Sequence, residues 1–163
     1  MNMRGFIWLV VLVFISGCAN NELTWISVKN DTGIPIYVLP YSSEYTNTNF
    51  IQPGVADDFY SINCHCLDGF NYFSHYYDSL IVLMEDHEDD PIKFYKDGTS
   101  VNYNPELNPF VNPDVWKVKD FDRAVSGSAS NTLEEKHIYE HYFSIREEHV
   151  KSLNVEDKLD PDL

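Results

Sequence analysis

Cations are scarce in this chain. Its 163 residues hold 11 Lys and Arg against 26 Asp and Glu, for a formal net charge of −15. Nucleic-acid phosphates are held by clustered Lys and Arg, so the imbalance excludes nucleic acid as a partner. It also argues against a flat electrostatic hold on anionic lipid. Cysteine is rarer still, with three in the whole chain. That is too few for a disulfide framework, so a hydrophobic core has to carry the fold. No apolar run reaches the roughly 20 residues that a transmembrane helix needs. No Gly-rich phosphate loop, no G-x-S-x-G elbow and no internal repeat is present, so the familiar sequence signatures of nucleotide and acyl-transfer chemistry are missing.

The beginning of the chain is patterned. Arg4 precedes the apolar run Phe6 to Ile15, and Ser16, Gly17 and Cys18 follow. A positive start, a short apolar core and small residues mark a secretory cleavage site. Ile15-Ser16-Gly17-Cys18 resembles the lipobox of bacterial lipoproteins. The resemblance implies a diacylglyceryl group on the Cys18 thiol, removal of the preceding peptide, and acylation of the new amino end with a palmitate-type chain. It implies anchoring at the outer membrane, with the periplasmic or cell-surface side left open. Two or more acyl chains make such an anchor stable. Ala19 to Leu23 reaches at most about 18 Å, which holds the domain near its membrane. Arg4 is the only charge in the leader, so the mature chain carries ten Lys and Arg against all 26 acids.

Apolar residues make up 44% of the sequence, enough for a core despite the charge. Aromatics reach 15%, with 11 Tyr and 10 Phe, and these residue types favour strands. Thr24 to Lys29 alternates, with Ile26 and Val28 on one face. Ile34 to Leu39 alternates again, and the Asn30-Asp31-Thr32-Gly33 cluster between them reads as a hairpin turn. Pro35 lacks a ladder donor and places that strand at an edge. Asp57 to Ile62 is a strand. Ser79 to Met84 is the most apolar run of the mature chain and reads as a strand buried on both faces. Asp97-Gly98 between Ile92–Tyr95 and Val101–Tyr103 marks a second hairpin. Asn112 caps a helical turn that opens on Pro113 and pins Val115 and Trp116 on the core. Thr132 with Glu135 suggests another brief turn. Ile138 to Phe143 is a strand, and Ser144 with Glu147 forms a capping box for a terminal helix. The expected fold is all-β, an immunoglobulin-like or related β-sandwich of about seven strands with a short C-terminal helix. The expected organisation is a signal peptide at 1–17, a lipidated tether at 18–23, a β-sandwich domain at 24–155 and a flexible acidic tail at 156–163.

Three clusters invite a chemical reading. Cys64-His65-Cys66 offers soft ligands for Zn²⁺ or Cu⁺, but structural zinc sites space their first cysteines by two to four residues. On an extended strand these cysteines lie about 6.7 Å apart at Cα, the upper edge of disulfide reach. A turn would shorten that distance, so their redox state stays open. His137-Ile-Tyr-Glu140-His141 matches the H-x-x-E-H pattern of inverted zincins. That chemistry needs a helix, because on a strand His137 and His141 sit about 13 Å apart. The acidic run Glu85 to Asp90 offers oxygens to Ca²⁺ but lacks the alternating ligands and the glycine of a loop site. No metal ligand set, catalytic residue or cofactor is therefore assigned, and Cys18 is the one site residue.

Further stretches carry a family resemblance. Ile26 to Val38 with Ile36-Tyr37-Val38, then Tyr77-Asp78-Ser79-Leu80-Ile81-Val82, then the stretch from His141 to Asn154, resemble small Bacteroidetes outer-membrane lipoproteins of unknown function. The resemblance implies a tyrosine-rich strand running into a short helix near Leu153-Asn154, and it brings no active site. The expected function is a lipid-anchored, non-enzymatic binding or assembly module of the envelope. Its expected contacts are the membrane, through the lipid on Cys18, and another envelope protein or a glycan. An envelope hydrolase or metal-binding protein is the alternative.

Overall fold

Apolar and aromatic side chains at every second position make most of this chain extended, and pairing between distant stretches sorts the strands. The computed structural model describes residues 22–42, 48–62, 68–126 and 133–151. Among them are nine strands and one α-helix: β1 Glu22–Asp31, β2 Ile36–Tyr41, β3 Asn49–Ile51, β4 Ala56–Ile62, α1 Gly69–Tyr76, β5 Ser79–Met84, β6 Ile92–Tyr95, β7 Ser100–Val101, β8 Lys117–Ser126 and β9 Leu133–Arg146. They form two sheets, ordered β4-β1-β9-β8 and β3-β2-β5-β6-β7. β1 and β9 run parallel in unbroken register from Glu22↔His137 to Asp31↔Arg146. The other neighbours are antiparallel. The fold is an all-β sandwich with one short helix.

The core lies between the sheets. Ile26 and Val28 of β1 and Phe143 and Ile145 of β9 belong to one buried cluster with Ile36 and Val38 of β2, Leu80, Val82 and Met84 of β5, and Phe94 of β6. α1 adds Tyr72 and Phe73 to that cluster. Its first turn is capped by Asp68, whose carboxylate accepts from the Phe70 amide at 3.0 Å. The Phe73 ring meets Phe110 at 4.5 Å and Trp116 at 5.3 Å between centroids. Asn112 accepts from the Asp114 amide at 2.9 Å and opens the single turn Pro113–Val115. Val115 and Trp116 pack on the core as the sequence suggests.

The Asn30–Gly33 turn does not close a hairpin. β1 and β2 belong to different sheets, and this turn carries the chain across the sandwich. Asn30 is fully buried and explains the crossing. Its Nδ2 donates to the carbonyls of Ile34 at 2.8 Å and Ile51 at 3.0 Å. Its Oδ1 accepts from the Thr32 amide at 3.0 Å and the Thr32 hydroxyl at 2.7 Å. Its backbone N–H donates to Val55 and its carbonyl accepts from Gly54. One side chain therefore ties β1, the crossing turn and the end of β3, while its backbone ties the β3–β4 turn. Gly54, at φ +77°, holds that turn in a backbone region that glycine adopts freely.

Other expectations change for similar reasons. β2 lies between β3 and β5, not at an edge; Pro35 precedes the strand, and Pro40 falls beyond the three residues that pair with β3. Ser144 is a strand residue paired with Lys29, because β1 offers partners as far as Arg146. The chain then makes only the 3-10 turn Glu147–His149. The short helix of this sandwich is α1, in the middle of the chain, rather than a C-terminal helix after Ser144. Glu135 lies within β9 and starts no turn. Thr132, Leu153 and the 156–163 stretch lie outside the described residues. β8, whose odd and even positions alternate charge more than hydrophobicity, escapes a reading based on apolar periodicity. The Asp97-Gly98 hairpin forms, with Gly98 at φ +92° and β6 pairing with β7, but its second arm is Ser100–Val101 rather than Val101–Tyr103, because Asn102 turns at φ +56° and Tyr103 bridges Val150.

β5 is buried on one face only. Leu80, Val82 and Met84 point into the core, while Ile81 and Leu83 are half-buried on the other side. Leu80→Ala should therefore cost about 2–5 kcal/mol and Ile81→Ala less than half as much, read from urea unfolding midpoints. Asn30→Ala should cost about 3 kcal/mol, because it strands buried backbone groups as well as deleting the amide. A loss below about 1 kcal/mol in the same melts would deny Asn30 its part in the crossing.

Candidate functional site

The sequence-level candidates separate in three dimensions. Cys18, Cys64, His65 and Cys66 lie outside the described residues. His137, Glu140 and His141 all fall within β9. His137 Nδ1 pairs with Asp122 at 2.7 Å on β8. His141 sits elsewhere, under the start of α1, where its Nδ1 accepts from the Gly69 amide at 3.1 Å. A Cβ at Gly69 would lie 2.4 Å from that of His141, so the close approach of helix and strand requires glycine. Glu140 projects to the face opposite both histidines. At strand spacing the imidazoles stand about 13 Å apart, too far to share an ion at bond lengths near 2.1 Å. Glu85 to Asp90 forms two turns beyond β5, with His87 N–H donating to Met84 and Asp90 N–H donating to His87. Among the described residues no three His, Cys, Asp or Glu side chains gather to hold a metal ion.

A different feature emerges on the outer face of the five-stranded sheet. Its outward positions are Tyr37, Leu39 and Tyr41 on β2, Phe50 on β3, Ser79, Ile81 and Leu83 on β5, Lys93 and Tyr95 on β6, and Val101 on β7. Tyr37 and Leu83 pair across the strands, as do Leu39 and Ile81, and the Tyr37 and Phe50 rings meet at 4.8 Å. The centre is aliphatic and half-buried, and the rim is Phe50, Tyr41 and Tyr95, all exposed. None of the ten positions is Asp or Glu, in a chain with 26 of them. Tyr37, Tyr41, Ser79, Lys93 and Tyr95 set hydrogen-bonding groups around this apolar centre, the mixture of aromatic area and polar tips that interaction surfaces carry. Sequence reasoning placed β2, β5 and β6, took the apolar residues of β5 alone for core on both sides, and did not place β3.

A cleft of about 230 Å³ opens where β8 begins, beside the last residues of β9. Lys117, Arg146 and His149 line it with Asp114, and Tyr103 forms part of its wall. Tyr103 is buried, and its hydroxyl accepts from the Arg146 amide at 3.2 Å. Burial pushes its phenol pKa up, against the opposing influence of that amide and of the Arg146 charge. Nearby, burial works against the Asp31 carboxylate, but hydrogen bonds from Lys29 and Ser144 and the charges of Lys29 and Arg146 outweigh it and hold the carboxyl below its usual range. Arg146 is engaged there by Glu148 at 3.6 Å, and Asp114 sets a carboxylate beside Lys117 in the same lining.

Compared with protein-family models, with curated proteins and with solved structures, the chain matches none.

The strand geometry of β9 predicts that wild type and a His137→Ala, His141→Ala double variant retain the same zinc after dialysis. One tightly held ion that disappears in the double variant would overturn the geometry and favour a metal-dependent enzyme.

Proposed function

We propose that this protein is a lipid-anchored, non-enzymatic binding or assembly module of the bacterial outer membrane. Cys18 carries the lipid, and the outer face of the five-stranded sheet receives another envelope protein. The observation that carries the partner side of this reading is the acid-free face of ten outward positions around Tyr37, Leu39, Ile81 and Leu83. Such contiguous apolar surface on a highly charged domain is what interaction sites present. The lipobox-like Ile15-Ser16-Gly17-Cys18 and the resemblance to small Bacteroidetes lipoproteins support the anchor and the location.

Two measurements test the two halves. Cys18→Ser should move the protein out of the detergent phase in phase partitioning; a variant that partitions like the wild type would refute the lipid site. A photo-crosslinking residue at Leu39 should give one discrete protein adduct in intact cells, and the same residue at Asp89, in the acidic turn, should give none. Leu83→Glu should reduce the Leu39 adduct at least several-fold. A heterogeneous, glycosidase-sensitive adduct would make the partner a glycan, and no adduct at all would refute the surface.

A further inference from the structure

The four-stranded sheet has an outer face of opposite character. Outward positions there are the odd residues of β1 and β8 and the even residues of β9, as the register pairs them. They include Lys29, Lys117, Lys119, Arg123, Lys136 and Arg146, six of the chain's 11 Lys and Arg. The acids on the same face are few and engaged. Asp31 pairs with Lys29, Glu134 with Lys136 and Glu148 with Arg146, Glu140 is buried, and Asp58 of β4 faces the charge of Arg123, so the positive excess of the face rests on Lys117, Lys119 and Arg123. β8 sorts its charges across the sheet: Lys117, Lys119 and Arg123 lie on this face, and Asp120 and Asp122 on the other.

The cations are joined to aromatic rings. Trp25 and Phe121 meet edge to face at 5.7 Å. Arg123 lies over the Trp25 ring at 5.3 Å, and Lys119 lies over Phe121 at 5.0 Å. Leu23 and Ile138 are buried in the same layer although they point away from the main core. Tryptophan beside Arg and Lys is the composition that settles at the headgroup level of a bilayer. Position agrees with composition. β1 begins at Glu22, four residues after Cys18, which covalent geometry limits to about 14 Å. The cluster of Trp25, Phe121 and Arg123 stands at that same end of the sheet.

We propose that this face lies against the surface of an anionic lipid bilayer, with Arg123 and Lys119 at lipid phosphates and Trp25 at the headgroup boundary. The inference rests on the lipid-anchor reading. The net charge of −15 does not oppose it at contact. Screening limits the reach of distant carboxylates to about 8 Å at physiological salt, so the charges facing the membrane decide. The domain then stands with its cationic sheet on the membrane and its acid-free aromatic sheet turned outward to a partner.

The test uses the acylated full chain on vesicles of phosphatidylcholine alone or mixed with phosphatidylglycerol, with brominated acyl chains as the quencher. Trp116→Phe leaves Trp25 as the only tryptophan after leader removal. Quenching of Trp25 should be several-fold greater with phosphatidylglycerol. Lys119→Gln with Arg123→Gln should reduce it to the phosphatidylcholine value while the protein stays vesicle-bound. Lys119→Arg with Arg123→Lys should preserve it. Equal quenching in wild type and the Gln variant, or quenching indifferent to phosphatidylglycerol, would overturn the inference alone. So would a Trp25 emission shift with soluble polygalacturonate and none with vesicles, which would assign the face to an acidic polysaccharide. A chain that carries no acyl group by mass spectrometry and stays in the supernatant would overturn the anchor and this inference together.

Discussion

Asn30 satisfies six hydrogen-bonding connections at the one place where the chain leaves the first sheet for the second. A buried amide is stabilising only when both its donors and its acceptor are paired, and here all are. Its partners belong to the crossing turn, to β3 and to the β3–β4 turn. The clamp therefore sets where the two sheets start relative to one another. From that start β1 can run beside β9 in parallel, and β2 can take its place between β3 and β5. The inward set of each strand follows: Ile26 and Val28 on one side of the gap, Ile36 and Val38 on the other.

Once the inward positions are taken, the outward ones define two surfaces of unlike chemistry. One sheet turns out Tyr37, Leu39, Ile81 and Leu83 with no acid among its strand positions. The other turns out Lys119, Arg123 and Trp25 around a small apolar layer of its own. The acids collect elsewhere: in the Glu85–Asp90 turns, on the opposite face of β8, and in stretches outside the described residues. A strongly acidic protein thus presents one face without acid and one face rich in cations. Average charge hides this, because electrostatic contact is decided over a distance shorter than the thickness of the domain.

The helix α1 depends on the same geometry. Phe70 to Tyr77 is dense in aromatics, which on propensity alone suit a strand. Asp68 at the cap and glycine at position 69 let the segment start as a helix against His141, and Phe73 then closes the end of the sandwich on Phe110 and Trp116. Tertiary contact overrides local preference here, since Phe73 as a helix residue reaches Phe110, Trp116 and Phe143 in the core.

Local features were legible in the sequence. Alternation announced β1, β2 and the centre of β9; Asp97-Gly98 announced its hairpin; Asn112-Pro113 announced its capped turn; and two-sided alternation with many aromatics announced a sandwich. Each rests on residues within a few positions of one another, where period and turn chemistry act directly. The candidate surfaces were not legible. β5 is apolar at every position from Leu80 to Met84, so only its pairing with β2 and β6 separates Leu80 and Val82 inside from Ile81 and Leu83 outside. Charged β8 becomes a strand because β9 lies beside it, and Ser144 stays extended because Lys29, over a hundred residues earlier, pairs with it. The sequence by itself determined which segments extend and turn. Only the tertiary structure decided which face of each strand meets water, because register is set between distant segments and a shift of one residue exchanges the two faces.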